Sequence, residues 1–241
     1  MGGSTRQSEN PTPLSKIRPL YQPTVTDQVF EELQQRILSL ALPPRTKMSE
    51  SDTAKRMGVS RQPVREAFKR LARLGFLVIR PQSGTMVSLI SEEAVLRARF
   101  IRTALEVKTC RTACATLTPQ ARTALINIID RQKAAMANAD RNEFLAADEA
   151  FHREICIIAR VEYVWDLLQE TKAHMDRIRM LSLDTSSRTI ALQEHIALLD
   201  AFVANDPDAA EKIITDHISR ILVLIKDLKA KKHSHFTDTQ P

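Results

Sequence analysis

From Thr26 to Leu38 apolar residues return at Val29, Phe30, Leu33, Ile37 and Leu38, the spacing of one helix face, until Pro43-Pro44 ends the run. The polar stretch ESDTAKRM lies between Ser49 and Gly58, which predicts a short second helix with a serine N-cap and a glycine terminator. Ser60 can cap a third helix with Pro63 in its first turn, and Val64, Ala67, Phe68, Leu71 and Leu74 form its apolar stripe. Past Gly75 the period changes: FLVIR and TMVSL are β-prone runs around PQSG, the pattern of a hairpin. Helix, short helix, glycine turn, third helix and hairpin is the order of a winged helix-turn-helix over residues 23–90.

From residue 91 the chain reads as helix alone. Ser91 with Glu92-Glu93 opens a helix to about residue 117, Thr118-Pro119 starts another, and further starts fall near Asn142, near Val161, at Ser186 or Ser187, and at Asp206-Pro207-Asp208. Six helices with short connections predict an antiparallel bundle over residues 91–232, so the fold class is mainly α. Residues 1–22, with Pro11, Pro13 and Pro19 and no apolar period, are expected to be a loose arm, and residues 233–241 a loose tail.

The chain has 241 residues, 43% hydrophobic and 27% charged, an ordinary globular composition with room for two domains. No run approaches the roughly 18 consecutive apolar residues of a membrane helix, and MGGSTRQSENPTPLSK lacks the apolar core of a secretory signal. A cytoplasmic protein without membrane attachment is expected. Three cysteines give no disulfide framework; Cys110 and Cys114, one turn apart, and Cys156 read as small buried apolar residues. The net charge of +6 divides unevenly: residues 1–90 carry 14 Lys and Arg against 7 Asp and Glu, residues 91–241 carry 21 against 22. The excess belongs to the winged-helix half. Without a long basic amphipathic helix bearing aromatic anchors, a polyanion such as double-stranded DNA is a better partner for it than a membrane surface.

The third helix shows where that partner would sit. Opposite its stripe, Arg61, Gln62 and Arg65 occupy the first turn and a half, the part of a recognition helix that reaches base edges in the major groove. Arginine pairs bidentately with guanine and glutamine with adenine. Lys69, Arg70 and Arg73 lie further along, where phosphate contact or plain solvation is the expectation.

In the bundle the chemistry lies with histidines. Asp148 and His152 are one turn apart on one face. His195 and His217 are equidistant from residue 206, the start of the Asp206-Pro207 turn, so an antiparallel pair would set them at the same height. Leu192 and Leu199 around His195, and Ile214 and Ile218 around His217, place each near a buried face, where an unpartnered imidazole is costly. One aspartate and three histidines suit a divalent ion such as zinc, nickel or manganese. Histidines satisfied singly in the core are the plainer alternative, and it stays open.

The stretch KMSESDTAKRMGVSRQPVREAFKRLARLGFLVIRPQSGTMV, with its GVSR-x-PVREA-x-x-RL core and R-P-x-x-G-x-x-V wing, resembles the winged-helix domain of GntR-family bacterial transcription regulators. The resemblance implies that Arg61 and Arg65 read the major groove and that Gly84 at the wing tip approaches the minor groove. Glu50-Ser51-Asp52-Thr53 departs from the family's E-R-E-L pattern, placing Ser51 where an arginine contacts DNA. Arg102, Leu105 and Glu106, then Asp148 with Phe151-His152, Glu194-His195 and His217-Ile218, resemble the FCD ligand-binding domain of FadR-type members, and six helices rather than seven resemble its VanR branch. This second likeness implies that Asp148, His152, His195 and His217 hold the metal and that a small carboxylate effector is bound beside it. The protein would act as a homodimer on a near-palindromic operator, switched by the effector about a hinge near residues 88–92. Arg102 is the candidate partner of the acid, with an internal salt bridge to Glu106 as the rival role; His174 is a candidate cavity-lining residue. A metal-dependent hydrolase and a ligand-free DNA-binding dimer are the alternatives; no nucleophile, further carboxylate pair or glycine-rich phosphate loop favours the enzyme.

Overall fold

The computed structural model describes residues 23–80, 84–182, 185–231 and 234–236; the expected N-terminal arm, residues 1–22, lies outside the described residues. Helix α1 (Val25–Leu38) begins in a capping box, Thr24 and Asp27 satisfying each other's backbone N–H groups, and buries Val29, Phe30, Leu33 and Ile37. Helix α2 (Glu50–Met57) is capped by the Ser49 hydroxyl and ended by Gly58 at φ 66°. Helix α3 (Arg61–Arg73) buries Val64, Ala67, Phe68 and Leu71; Ser60 stands at its N-cap, though its side chain makes no capping hydrogen bond. The stripes of α1 and α3 meet in one core with Phe76, Leu77 and Val87.

Strands β2 (Leu77–Arg80) and β3 (Gly84–Val87) form the expected hairpin. A third strand, β1 (Lys47–Met48), pairs antiparallel with β3, giving the order β1-β3-β2. Two residues without alternation carry no strand signal; pairing with Thr85 and Met86 makes them one.

The bundle consists of α4 (Glu92–Thr116), α5 (Pro119–Ala137), α6 (Arg141–Ile158), α7 (Glu162–Ser182), α8 (Thr185–Val203), α9 (Pro207–Ser219) and α10 (Ile221–Ala230). Side chains of Ser91, Thr118, Asp140 and Asp206 cap α4, α5, α6 and α9, and proline follows the cap in α5 and α9. Helix α4 packs on α9 and α7, and α5 on α6 and α8, around Phe151, Leu198, Phe202 and Ile214. Cys110, Cys114 and Cys156 are free and buried, as their spacing suggested.

Two expectations are corrected. The sixth bundle helix is two, α9 and α10, meeting at Arg220, so among the described residues seven helices follow the wing and the six-helix count no longer supports the VanR branch. Arg220 keeps helical dihedrals (φ −55°, ψ −24°) while its carbonyl accepts from both Val223 and Leu224. Ile214, Ile218, Ile221, Ile225 and Leu228 stay buried across the break, so the apolar period gives no sign of it. The tail is not loose at residues 234–236: Ile90 N–H donates to the His235 carbonyl at 2.8 Å, and Phe236 joins the bundle core. The rest of the expected tail, residues 233 and 237–241, lies outside the described residues. Among the described residues no helix is long and apolar enough to cross a membrane.

Candidate functional site: a buried histidine cluster and an exposed recognition helix

Helix α6 carries Asp148 and His152, α8 carries His195 and α9 carries His217. One ligating atom from each lies within 4.8 Å of the others; donors with bonds of about 2.1 Å to one tetrahedral ion stand about 3.4 Å apart, so a bound ion would draw them closer. The ring centroids of His195 and His217 are 5.0 Å apart, as the mirror placement about residue 206 predicts, and His152 sits 5.3 Å from the first and 5.1 Å from the second. All four residues are buried.

Each imidazole has an oxygen behind its Nδ1, hydrogen-bonded for His195 and His217 and at ion-pair distance for His152. His152 Nδ1 lies 2.8 Å from Glu106 Oε2, His195 Nδ1 is 3.0 Å from Gln132 Oε1, and His217 Nδ1 is 2.7 Å from Glu194 Oε2. An oxygen that accepts from Nδ1 leaves Nε2 as a lone-pair donor, the arrangement metal-binding histidines adopt; Arg220 Nη2 also lies 3.3 Å from His217 Nδ1. Correspondingly, His152 Nε2, His195 Nε2 and Asp148 Oδ1 are buried with no hydrogen-bond partner. Three converging orphaned acceptors would be unfavourable in a core. A divalent cation satisfies all of them at once, so the residues present fit a metal.

Electrostatics agree. Burial pushes the His195 imidazole down to about 3, and burial with the neighbouring imidazoles holds His217 well below its ordinary value. Both rings are therefore neutral. Burial works to raise Asp148, yet Arg179, whose Nη2 donates to Asp148 Oδ2 at 2.7 Å, and the three histidines keep it well below the carboxylate range. Burial raises Glu194 to about 7 against the opposing pull of Arg220.

A cavity of about 610 Å³ borders this cluster and is lined by Arg102, Arg179, Arg188, Arg220 and His217 among others. Arg102 makes the internal salt bridge that was the rival role, Nε donating to Glu106 Oε1 at 2.6 Å, and it also lines the cavity. His174 does not line it and is corrected to a contact between the two halves, its Nε2 2.8 Å from the Leu74 carbonyl and its ring stacked on Phe76. Leu74 and Phe76 lie 100 and 98 positions before His174 in sequence, so no local pattern could show it. Gln132, Arg179 and Arg220 also escaped sequence reading; Glu194 was read as part of the Glu194-His195 pair, but not as the partner of His217.

On the other half, Arg61 and Arg65 are exposed at the start of α3 and share one carboxylate: Arg65 Nε is 3.2 Å and Arg61 Nη2 is 3.8 Å from Glu50 Oε2. Gln62 and Lys69 donate to Glu66 Oε1 at 3.2 and 3.3 Å. Arg70, for which phosphate contact or plain solvation was expected, is instead held by the protein itself: its guanidinium stands 3.8 Å over the Phe30 ring and donates to Asp27, locking α3 onto α1. Gly84 adopts φ 90° at the wing, exposed, with open space where a Cβ would stand; only glycine holds that conformation without strain.

The model of the family "Bacterial regulatory proteins, gntR family" matches residues 25–87, and that of the "FCD domain" matches residues 98–220. The chain belongs to the GntR family. It is 32% identical over 215 residues to the HTH-type transcriptional repressor RspR of Escherichia coli K12, covering 89% of this chain and 94% of that one. It is also 32% identical over 217 residues to the uncharacterized HTH-type transcriptional regulator YdfH of Escherichia coli O6:H1, covering 90% and 95%. The solved structure of E. coli McbR/YncC superposes with a TM-score of 0.71 at 20% identity, covering 85% of this chain and 98% of that one, a likeness of fold. This GntR-family protein is thus a DNA-binding transcription regulator with an FCD domain rather than an enzyme, and the hydrolase alternative falls.

Proposed function

We propose that this GntR-family regulator binds a near-palindromic operator as a homodimer and is switched by a small carboxylate held beside a divalent metal. Residues 23–90 would read the DNA, and residues 91–232 would bind the effector and pair the chains. The observation that carries the reading is the convergence of unpartnered His152 Nε2, His195 Nε2 and Asp148 Oδ1 beside an arginine-lined cavity. Asp148, His152, His195 and His217 would hold the ion, with zinc, nickel or manganese matching three imidazole nitrogens and one carboxylate oxygen. Such an ion would supply a fixed positive charge for the acid. Arg102 and Arg220 would orient the remaining oxygens, guanidinium being a bidentate partner for carboxylate.

On the DNA side, Arg61, Gln62 and Arg65 would face base edges, Lys69 phosphate and Gly84 the minor groove. Pairing of two chains draws support from apolar residues left exposed on adjoining helices, Leu96 and Phe100 on α4 and Tyr163 and Leu167 on α7. A two-fold dimer would impose its symmetry on the operator.

The test is thermal melting of the purified chain with a panel of small organic acids, in zinc and again in EDTA. A ligand at 100 times its Kd adds ~2.7 kcal/mol, and each kcal/mol moves the midpoint of a chain this size by roughly 2–4 °C. One acid that shifts the midpoint only with metal present supports the reading. A chain indifferent to metal and to every acid is instead the ligand-free DNA-binding dimer.

A further inference from the structure

Helix α7 touches both halves of the molecule with opposite sides. Ala173, His174 and Arg177 fall within about 100° of its circumference, and Lys172, Asp176 and Arg179 within about 60° on the far side. The first face is seated in the winged helix. Ala173 is buried in the core of α1 and α3. His174 Nε2 donates to the carbonyl of Leu74, the C-cap of α3, at 2.8 Å, and its ring stacks on Phe76 with centroids 4.7 Å apart. Arg177 donates to the Ser88 carbonyl at 2.8 Å and to the Ser88 hydroxyl at 3.3 Å, and that hydroxyl donates to the Gly75 carbonyl at 2.5 Å. Gly75, at φ 79°, passes so close that a Cβ there would stand 3.4 Å from His174 Cε1. The whole turn that ends the recognition helix, residues 74–76, is gripped by one helix of the bundle.

The opposite face of α7 reaches the histidine site. Arg179 holds the Asp148 carboxylate at 2.7 Å, and Lys172 bridges Glu149 at 2.8 Å and Asp176 at 2.6 Å. Arg177 is the unusual member. It is fully buried, no carboxylate pairs with it among the described residues, and burial pushes its guanidinium down to about 10. Burying a cation against only the two oxygens of Ser88 is a poor way to gain stability. It is a specific way to fix where Ser88 and the turn beside it stand.

We propose that α7 is the lever by which the histidine site sets the position of the recognition helix, with Arg179 the positioning residue at one end and His174 and Arg177 those at the other. His174 and Arg179 are separated by about 7.5 Å along one helix, and a close-packed helix moves as a body rather than bending between them. A displacement of the Asp148 carboxylate therefore reaches Leu74 without passing through residues 88–92, where the hinge was expected; there Ser88 and Ile90 are themselves buried. What the motion is for rests on the regulator reading; the coupling itself does not.

The experiment is amide hydrogen exchange on the full chain as wild type, Arg179→Met, His174→Ala and the double variant. We expect Arg179→Met to speed exchange of residues 70–77 at least fivefold while α1, residues 25–38, changes less than twofold, which separates coupling from general destabilisation. In the His174→Ala background the same Arg179→Met change should add less than twofold at residues 70–77, and His174→Gln, which can still donate to the Leu74 carbonyl, should restore the response. An unchanged turn in Arg179→Met, equal changes in α1 and the turn, or effects of the two substitutions that multiply in full would each overturn the lever. A parallel run in zinc and in EDTA reads residues 144–156. No response to zinc there would refute the metal reading and leave the lever result standing.

Discussion

The recognition helix and the histidine site are both crowded with charge, and they hold it in opposite ways. On α3 the arginines are exposed, and their contacts to Glu50 are surface ion pairs that water screens and that contribute at most about 1 kcal/mol each. In the bundle Asp148 is fully buried and depends on Arg179, which is itself largely buried at the cavity wall. The exposed set is available because little is gained by its present pairing, so phosphates and bases can compete for it. The buried set is committed, and three of its atoms, His152 Nε2, His195 Nε2 and Asp148 Oδ1, have no hydrogen-bond partner. A surface site is recognised by what it offers, a buried one by what it leaves unsatisfied.

The sharpest way to break this contrast is Asp148→Ala, studied in EDTA so that metal plays no part. The variant strands the Arg179 guanidinium with only Asp176 at 3.7 Å and Glu149 at 3.9 Å. Breaking a buried pair from one side costs about 3–5 kcal/mol, and these distant carboxylates should hold the loss near the lower bound. Urea unfolding measures it. A loss below about 1 kcal/mol would show that the pair behaves like those on α3.

Next in size is Arg65→Ala. If Arg65 reads a base bidentately, binding to an operator duplex enriched from random-sequence DNA should weaken by about 1–3 kcal/mol, or roughly 5- to 150-fold. Binding to an unrelated duplex should fall far less, and the urea midpoint should barely move. Equal loss on both duplexes would make Arg65 a phosphate contact.

His217→Ala tests the incomplete set at its most accessible member, the only one of the four that lines the cavity. It should lower bound zinc, measured on the dialysed protein, and remove the difference between melting midpoints in zinc and in EDTA. A variant that still carries one zinc per chain and still melts higher with it would exclude His217 from the ligand set.

How much of this was legible before the fold was known follows the same division. Caps and stripes are local, so the helices, the wing hairpin and the exposed faces of Arg61 and Arg65 could be read from spacing. The histidine cluster was legible for a geometric reason: i, i+4 placement on α6 and mirror placement about the Asp206 turn are both consequences of helical regularity. What could not be read depends on contacts between distant segments. Arg70 was expected at phosphate or in solvent, but Asp27 and Phe30, forty or more residues earlier in sequence, hold it. His174 was expected in the cavity, but Leu74 and Phe76 hold it elsewhere. The break at Arg220 hides within an unbroken apolar period, and the two-residue strand β1 exists only by pairing with β3.

The smallest expected effect is also the one that tests what the exposed pairing on α3 is for. Glu50 contacts both Arg65 and Arg61 through a single oxygen, Oε2, from the start of another helix. If the pairs served stability, Glu50→Gln should cost measurably; side chains this exposed set the limit at about 1 kcal/mol. If Glu50 instead orients the arginines, the substitution acts on DNA, and in two directions. Removing a negative charge from the DNA-facing surface should tighten binding to an unrelated duplex, an effect that shrinks as salt rises. Releasing Arg65 to sample other rotamers should raise the entropy lost on base recognition and so reduce the ratio of operator to unrelated affinity. We expect that ratio to fall a few-fold while the urea midpoint stays within error, measured by titrating both duplexes at two salt concentrations. A ratio that rises instead would mean that the carboxylate competes with the bases for Arg65, and that this exposed pair, like the buried one, holds its arginine back.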